Sequence, residues 1–201
     1  MGTVTGNPQD RVWASFDTSL SAEALKKFCR DIERLFRINP MLEFKDWQLI
    51  SKNRVHLQCV NSSQEQPIEV DVEFDIHEVE DGFELEYSNG IKTNTYFKIE
   101  PTEQGSKLTI TDNYRELTDS ERQSKLNEVD KSIVVWANYL QKYLNMWQRW
   151  SRFAPWRWYI RKVWQPMKPS GRRITYMLLW ITAFEIALIS LGFAIYIVEF
   201  S

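Results

Sequence analysis

The chain contains one long apolar segment, residues 174–200, near its C-terminal end. These 27 residues contain a single charged side chain, Glu185, before Glu199 near the end. An α-helix rises about 1.5 Å per residue, so the segment would extend about 40 Å, which exceeds the roughly 30 Å hydrocarbon core of a bilayer. The segment therefore predicts one transmembrane helix, and we expect a single-pass membrane protein.

Charge is distributed unevenly along the rest of the chain. Residues 1–130 carry 15 basic and 25 acidic side chains, whereas residues 131–184 carry ten basic side chains and no Asp or Glu. Lys168, Arg172 and Arg173 directly precede the apolar segment. Basic residues next to a membrane helix favour the cytoplasmic side. We therefore expect the folded domain in the cytoplasm and the C-terminus on the opposite side.

Residues 149–173 form a basic, tryptophan-rich segment, which we call the collar. Tryptophan and tyrosine rings settle at the level of the lipid headgroups, and cations attract anionic lipid. The collar is therefore predicted to lie on the cytoplasmic leaflet with membrane lipids as its partners, and a protein-docking surface is the alternative. Nucleic acid is not expected as a partner beside a membrane helix. The candidate interface residues are Trp150, Trp156, Arg157, Trp158, Arg161, Lys162, Trp164, Arg172 and Arg173.

Two faces of the apolar segment are candidates for contacts with other membrane helices. A carboxyl group in hydrocarbon usually faces a partner or a cavity, which makes Glu185 a candidate contact. Small residues allow helices to approach closely, and they recur on roughly the opposite face. These small residues are Ala183, Ala187, Ser190 and Ala194. The pattern favours integral-membrane protein partners, although Glu185 could also be tolerated in a single anchor.

Alternation of apolar and polar residues predicts seven strands before residue 115. Asp81-Gly82 and Asn89-Gly90 are turn dipeptides typical of hairpins between such strands. One apolar face and one charged face are typical of an antiparallel sheet that has one face in water. The predicted strands lie at residues 12–17, 47–50, 55–59, 68–76, 83–87, 91–99 and 108–114.

Helical spacing of apolar residues predicts one amphipathic helix, or two short ones, over residues 21–37. A long helix begins near Thr118-Asp119 with capping residues. Its apolar stripe runs over six turns and predicts that it covers the sheet. The stripe consists of Leu126, Val129, Ile133, Trp136, Leu140, Tyr143, Leu144 and Trp147. Residues 1–10 are polar and are expected to be disordered.

This order of elements, together with residues 31–40 and Trp47, carries a resemblance to a known superfamily. In residues 31–40, Asp-Ile-Glu-Arg-Leu-Phe-Arg-Ile-Asn-Pro, a helix ends at Asn39-Pro40 and the chain turns into a strand. The pattern resembles the START-like superfamily, also called SRPBCC, the polyketide cyclase/lipid transport group or the helix-grip fold. The resemblance covers residues 11–148. It implies an α+β domain in which seven curved antiparallel strands grip a long C-terminal helix.

The resemblance also implies an apolar cavity that takes a lipid, a sterol-like molecule or a quinone. A membrane-tethered binding module for such a ligand is therefore the first functional hypothesis. A non-catalytic accessory or assembly subunit of a membrane complex is the alternative, and a cyclase-type enzyme is a weaker one. The inward-facing candidates are Trp47, Phe74, Tyr87, Phe97, Asp112, Tyr114, Trp136, Tyr139 and Leu140, although such side chains also simply fill cores.

No motif of metal, nucleotide or nucleophile chemistry occurs in the sequence. Cys29 and Cys59 are predicted to be buried free thiols, and His56 and His77 to face solvent. Glu69, Asp71, Glu73 and Asp75 alternate on one strand face, which is more typical of a solvated surface than of a metal site. We therefore expect no catalytic residues, no cofactor and no metal.

Overall fold

The computed structural model describes residues 11–63, 66–90, 92–114 and 119–200, and within the last range the side chains of 133–198. These residues form a single antiparallel sheet of seven strands, in the spatial order β1-β7-β6-β5-β4-β3-β2. The strands are β1 (Arg11–Thr18), β2 (Leu42–Leu49), β3 (Arg54–Asn61), β4 (Ile68–Val79), β5 (Gly82–Tyr87), β6 (Lys92–Thr102) and β7 (Gly105–Tyr114). The α+β class and the seven strands are confirmed. The predicted disorder of residues 1–10 lies outside the described residues.

Two short helices connect the edge strands β1 and β2. They are α1 (Ala22–Cys29) and α2 (Ile32–Ile38). The Ser21 side chain accepts a hydrogen bond from the backbone N–H of Ala24, and the Asp31 side chain caps α2 in the same way. Residues 21–37 therefore form two helices rather than one, because Asp31 begins a new helix immediately after the first one ends.

The long helix α3 (Asp119–Trp150) lies across the buried face of the sheet. The side chains of its predicted stripe that the structure describes are buried at Ile133, Trp136, Leu140 and Leu144. The indole Nε1 of Trp136 donates to the carbonyl oxygen of Leu35 over 2.9 Å, which attaches α3 to α2. This is the predicted arrangement of a sheet that grips a helix. Leu126 and Val129 lie outside the described side chains.

The collar folds back onto the domain. It contains α4 (Ala154–Tyr159), a π-helical turn (Ile160–Trp164) and the first residues of the next helix. Ile160 is only 3% exposed, and Trp156, Tyr159 and Trp164 pack against the core. Trp150, Phe153 and Trp158 are 49%, 58% and 63% exposed, respectively. The collar therefore has an inner side that completes the domain and an outer side that presents aromatic rings.

The final helix, α5 (Pro169–Phe200), begins five residues before the predicted start of the apolar segment. Proline is favoured in the first turn of a helix, where its missing N–H removes no hydrogen bond. Its most apolar window has a mean hydropathy of 2.1, and none of that window is buried against the domain. Among the described residues, this is the one helix that is long and apolar enough to cross a membrane.

Gly82 allows β5 to approach β6 closely, and its replacement tests the packing of this hairpin. A Cβ atom at position 82 would lie 1.8 Å from the carbonyl oxygen of Phe97. We expect Gly82→Ala to lower the free energy of unfolding by about 2 kcal/mol or more, because backbone atoms must move. Chemical denaturation followed by near-UV circular dichroism measures this change. Gly192→Ala is the control, because apart from the backbone of its own helix no atom lies within 4 Å of the added Cβ. Equal unfolding midpoints for Gly82→Ala and wild type would contradict the expected clash.

Candidate functional site

A cavity of about 360 Å³ lies at the β2–β4 side of the sheet, next to helix α2. Its inner walls are apolar because the strands alternate: Leu57 pairs with Val72 and Cys59 pairs with Val70 in the register of β3 and β4. Paired residues of adjacent strands point to the same face. The inner wall residues are Phe36, Leu42, Leu57, Cys59, Val70, Val72 and Tyr87.

The rim of this cavity lies at the surface, near the turn between β5 and β6. Asn89 holds this turn against β4, since its side chain accepts from the N–H of Glu73 and donates to the carbonyl of Asp71. Gly90 has a φ of +93°, a conformation that favours glycine. A Cβ atom there would lie 3.1 Å from Cγ1 of Val72, so glycine also keeps space beside the cavity wall.

Besides the exposed Glu69 and Asp71, one charged residue of the lining, Lys92, is half-buried. Its Nζ lies 2.5 Å from Oδ2 of Asp112, whose side chain is 4% exposed. The other carboxylate oxygen of Asp112 accepts from the Thr95 hydroxyl over 2.5 Å. The Tyr87 and Thr95 hydroxyls lie 3.2 Å apart, and Tyr114 donates weakly to Asp112 over 3.4 Å. The result is a connected polar network at one end of the cavity.

The protonation states of this network follow from burial and charge. Burial disfavours the ammonium of Lys92, but the carboxylate of Asp112 outweighs this effect, so the pKa of Lys92 is raised. Burial raises the pKa of the Tyr87 and Tyr114 phenols. At neutral pH the cavity therefore contains an ammonium group and neutral hydroxyls, which can hydrogen-bond a carbonyl or hydroxyl oxygen of a bound molecule.

A bulge in β6 explains why the sequence did not reveal Lys92. Residues 95, 97 and 99 are buried, so strict alternation would place position 92 on the outer face. The register with β7 shifts between Lys92 and Asn94, which places Lys92 opposite Tyr114. A bulge turns the following side chain to the other face and leaves no dependable signal in one sequence.

Most of the predicted cavity residues instead form the aromatic core. Phe74 and Phe97 are fully buried, and Trp136 contacts Phe97 edge-on with ring centroids 5.7 Å apart. Trp47 is half-buried against Phe74, and Leu140 is buried under the sheet. Of the nine candidates, only Tyr87 lines this cavity, while Asp112 and Tyr114 belong to the network beside it.

Tyr139 needs a correction. It was predicted to face inward, but its side chain is 42% exposed. It precedes Leu140 by one helical step of about 100°, which places it at the flank of the buried stripe rather than within it. Tyr139 instead lines a second cavity near the start of α5.

The sequence did not indicate that aliphatic residues of β3 and β4 form a wall of the cavity. Leu57, Cys59 and Val72 were identified only as the apolar face of the sheet. Their alternation indicates that they are buried, but it cannot indicate whether another side chain or empty space lies above them.

The predicted interface residues divide into two groups. Arg157, Trp158, Arg161 and Lys162 are exposed, as is Trp150. Trp164 packs against Tyr143, with ring centroids 5.8 Å apart, and Arg172 donates to three backbone carbonyls. Trp164 and Arg172 therefore hold the collar on the domain, which sequence spacing could not distinguish from contact with lipid.

The candidate helix-contact residues of α5 are all exposed along the helix. Ala183, Glu185, Ala187 and Ala194 make no contact with the domain among the described residues. The Ser190 hydroxyl donates to the carbonyl of Ile186 over 2.8 Å, so this hydrogen bond lies within the helix. The structure leaves both faces of α5 free of the domain.

Comparison with known proteins identifies the fold through solved structures. No protein-family model and no curated protein matches the chain. The protein TTHA0849 from Thermus thermophilus has a TM-score of 0.54 at 12% identity, over 68% of this chain and 97% of that one. A START superfamily protein from Mycobacterium smegmatis has the same TM-score and coverage at 14% identity. The Zhui aromatase/cyclase from Streptomyces sp. R1128 has a TM-score of 0.50 at 12% identity, over 72% and 96%. The chain therefore contains a domain with the START-like, or SRPBCC, helix-grip fold.

Proposed function

We propose that this chain is a membrane-tethered binding protein for a hydrophobic ligand such as a lipid, a sterol-like molecule or a quinone. The observation that carries this proposal is the cavity of about 360 Å³ with apolar walls and one polar network. Binding sites for small molecules are typically cavities of about 300–1,000 Å³ with apolar walls and a few well-placed polar groups. The helix-grip fold supports the proposal, because a curved sheet around a helix can leave space between its layers.

The chemistry of the walls indicates the class of ligand. Leu57 and Val72 offer no hydrogen bonds to a polar molecule and the Cys59 thiol offers only a weak one, so the body of the ligand must be apolar. Lys92 and the Tyr87 hydroxyl can bind one oxygen-containing end. A quinone carbonyl, a sterol hydroxyl and a lipid carboxylate or ester each provide such an end.

Helix α5 is the proposed membrane anchor. Its apolar side chains are exposed, for example Phe184, Ile189 and Phe193 at 65%, 71% and 65%, and hydrocarbon would cover them. Lys168, Arg172 and Arg173 stand at its N-terminal end, which favours a cytoplasmic domain. The exposed rings of Trp150 and Trp158 would lie among the headgroups, next to the exposed cations Arg157 and Lys162. A hydrophobic ligand could then enter the cavity from the bilayer surface.

A second candidate function is an accessory subunit of a membrane protein complex. The observation that favours it is Glu185, whose carboxyl group makes no hydrogen bond or ion pair with the described residues. A carboxyl group within hydrocarbon is costly without a partner. A polar group on a neighbouring membrane helix would satisfy it.

Filling the cavity tests the proposed ligand site. We expect Val72→Phe to reduce the hydrophobic molecule that co-purifies with the full-length protein by about tenfold, because the new ring occupies the ligand's space. Mass spectrometry of extracts from protein purified in a mild detergent measures the ratio. Val79→Phe is the control, since Val79 is also half-buried on β4 but lies outside the cavity walls. Equal loss of the molecule in both variants would contradict this location.

The thiol of Cys59 reports on the same cavity. Burial raises the pKa of Cys59 to about 11, and the thiolate is the reactive form. The rate of alkylation by neutral iodoacetamide, measured in Cys29→Ser protein, should therefore rise about tenfold per pH unit between about pH 8 and pH 10. A bound hydrophobic molecule should slow the reaction at every pH. A rate that levels off near pH 8.5, where a free cysteine titrates, would contradict the buried position.

Substitution of Glu185 tests the accessory-subunit function. We expect Glu185→Leu to reduce a stoichiometric membrane partner by roughly tenfold, because a polar contact between membrane helices contributes about 1–2 kcal/mol. Quantitative mass spectrometry after purification from native membranes measures the partner. Glu185→Gln, which retains a hydrogen-bonding group, should retain more of it. Unchanged recovery with Glu185→Leu would exclude Glu185 as the contact.

A further inference from the structure

A second and larger cavity, of about 520 Å³, lies between the domain and the first turns of α5. Its apolar side is formed by Ile38, Pro40 and Met146. Its polar side contains Lys142, Arg172 and Arg173 together with phenol-bearing side chains such as Tyr139 and Tyr176. The site is therefore both cationic and apolar, whereas the cation of the first cavity, Lys92, is paired with Asp112.

Arg172 gives this cavity a fixed structure. Its guanidinium donates to the carbonyl oxygens of Trp164, Gln165 and Arg37 over 3.1, 2.8 and 2.6 Å. The same group stacks on the Trp164 ring, 4.3 Å from the centroid. These contacts hold the start of α5 against α2 and the collar, so the walls are joined by hydrogen bonds within the chain.

The cations of this cavity have no carboxylate partners among the described side chains. Arg37 pairs with Glu33 over 2.7 Å and Lys168 pairs with Glu43 over 2.6 Å. These two nearby carboxylates therefore already have cationic partners. Lys142, Arg172 and Arg173 form no ion pair with any described residue. A half-buried cation without a counter-ion is unfavourable, and an anion in the cavity would compensate it.

The position of the cavity identifies the source of that anion. Tyr176, which forms part of the wall, is the third residue of the apolar segment. If α5 spans the membrane as proposed above, the cavity opens at the level of the headgroups on the basic side of the span. A molecule that joins a phosphate to an apolar body can pair with the cations and also cover the apolar side of the cavity. Free phosphate would leave the apolar side without a contact.

We propose that this cavity binds one anionic phospholipid of the surrounding leaflet, with its phosphate between Lys142, Arg172 and Arg173. The parts of the acyl chains nearest the headgroup contact Ile38 and Met146, and the chains continue along α5. The lipid thereby fixes the domain relative to the bilayer, because one wall belongs to the domain and the other to the membrane helix. This inference rests on the proposed membrane anchor but not on a ligand in the first cavity.

Retention of lipid by the full-length protein tests the proposal. The protein is purified in a mild detergent with equal amounts of phosphatidylglycerol and phosphatidylcholine, and native mass spectrometry counts the lipids that remain bound. Wild type should retain one phosphatidylglycerol in preference to phosphatidylcholine. Each cation near lipid contributes about fivefold to binding, so Lys142→Gln/Arg173→Gln should reduce this preference by about thirtyfold. Both residues are exposed and hold no other part of the fold, so the variant should remain folded.

Three comparisons make the result specific. Lys142→Arg/Arg173→Lys keeps both charges and should restore the preference. Arg152→Gln/Lys162→Gln removes the same charge from exposed collar positions outside the cavity and should change it little. Equal effects of the two charge-removing variants would overturn the site in favour of general attraction. Competition by inorganic phosphate that matches competition by phosphatidylglycerol would show an anion site rather than a lipid site and would also overturn it.

Flotation with phosphatidylcholine/phosphatidylglycerol vesicles separates the two proposals. If the wild-type protein does not float after reconstitution, the proposal that α5 anchors it in the membrane is wrong, and the proposed phospholipid site is wrong as well. If wild type floats but retains both lipids equally, only the phospholipid site fails.

Discussion

The packing of Trp136 connects the layers of the domain. Its ring lies 5.2 Å from the Phe36 ring of α2 and 5.7 Å from the Phe97 ring of the sheet, and its N–H is bonded to Leu35. These contacts fix the height and rotation of α3 above the sheet. Because large rings fill the centre of this interface, the open space lies to one side, near the smaller side chains of β3 and β4.

The C-terminal half of α3 continues this arrangement towards α5. Tyr143 accepts hydrogen bonds from the buried Arg34, and it also contacts Trp164 of the collar. Trp147 stacks with the Arg34 guanidinium, 4.1 Å from the ring centroid, and contacts Trp156. The collar is therefore attached through cation–π and aromatic contacts, which are strongest when desolvated. A single helix thus connects the aromatic core beneath the sheet with the contacts that hold the start of α5.

The sequence predicted features that repeat with a regular period. Alternation on β4 and β7 and helical spacing on α3 indicated elements that the structure contains, and the apolar run of residues 174–200 indicated a long apolar helix, α5. Single-residue irregularities were not predictable: the bulge before Asn94 brings Lys92 inward, and one helical step moves Tyr139 outward. The collar was ambiguous for another reason, because tryptophan beside arginine is equally suited to a lipid surface and to a desolvated stack within the protein. Only the fold distinguishes Trp164 from Trp158.

Photochemical labelling from the cavity wall tests whether a hydrophobic molecule occupies the first cavity. A diazirine analogue of leucine at Leu57, which is 1% exposed and lines the cavity, would react on illumination with whatever lies against it. In full-length protein from native membranes, we predict that mass spectrometry finds a small hydrophobic molecule attached to the peptide that contains residue 57. Labelling that yields only water addition or links to neighbouring side chains, such as Val72, would contradict an occupied ligand site.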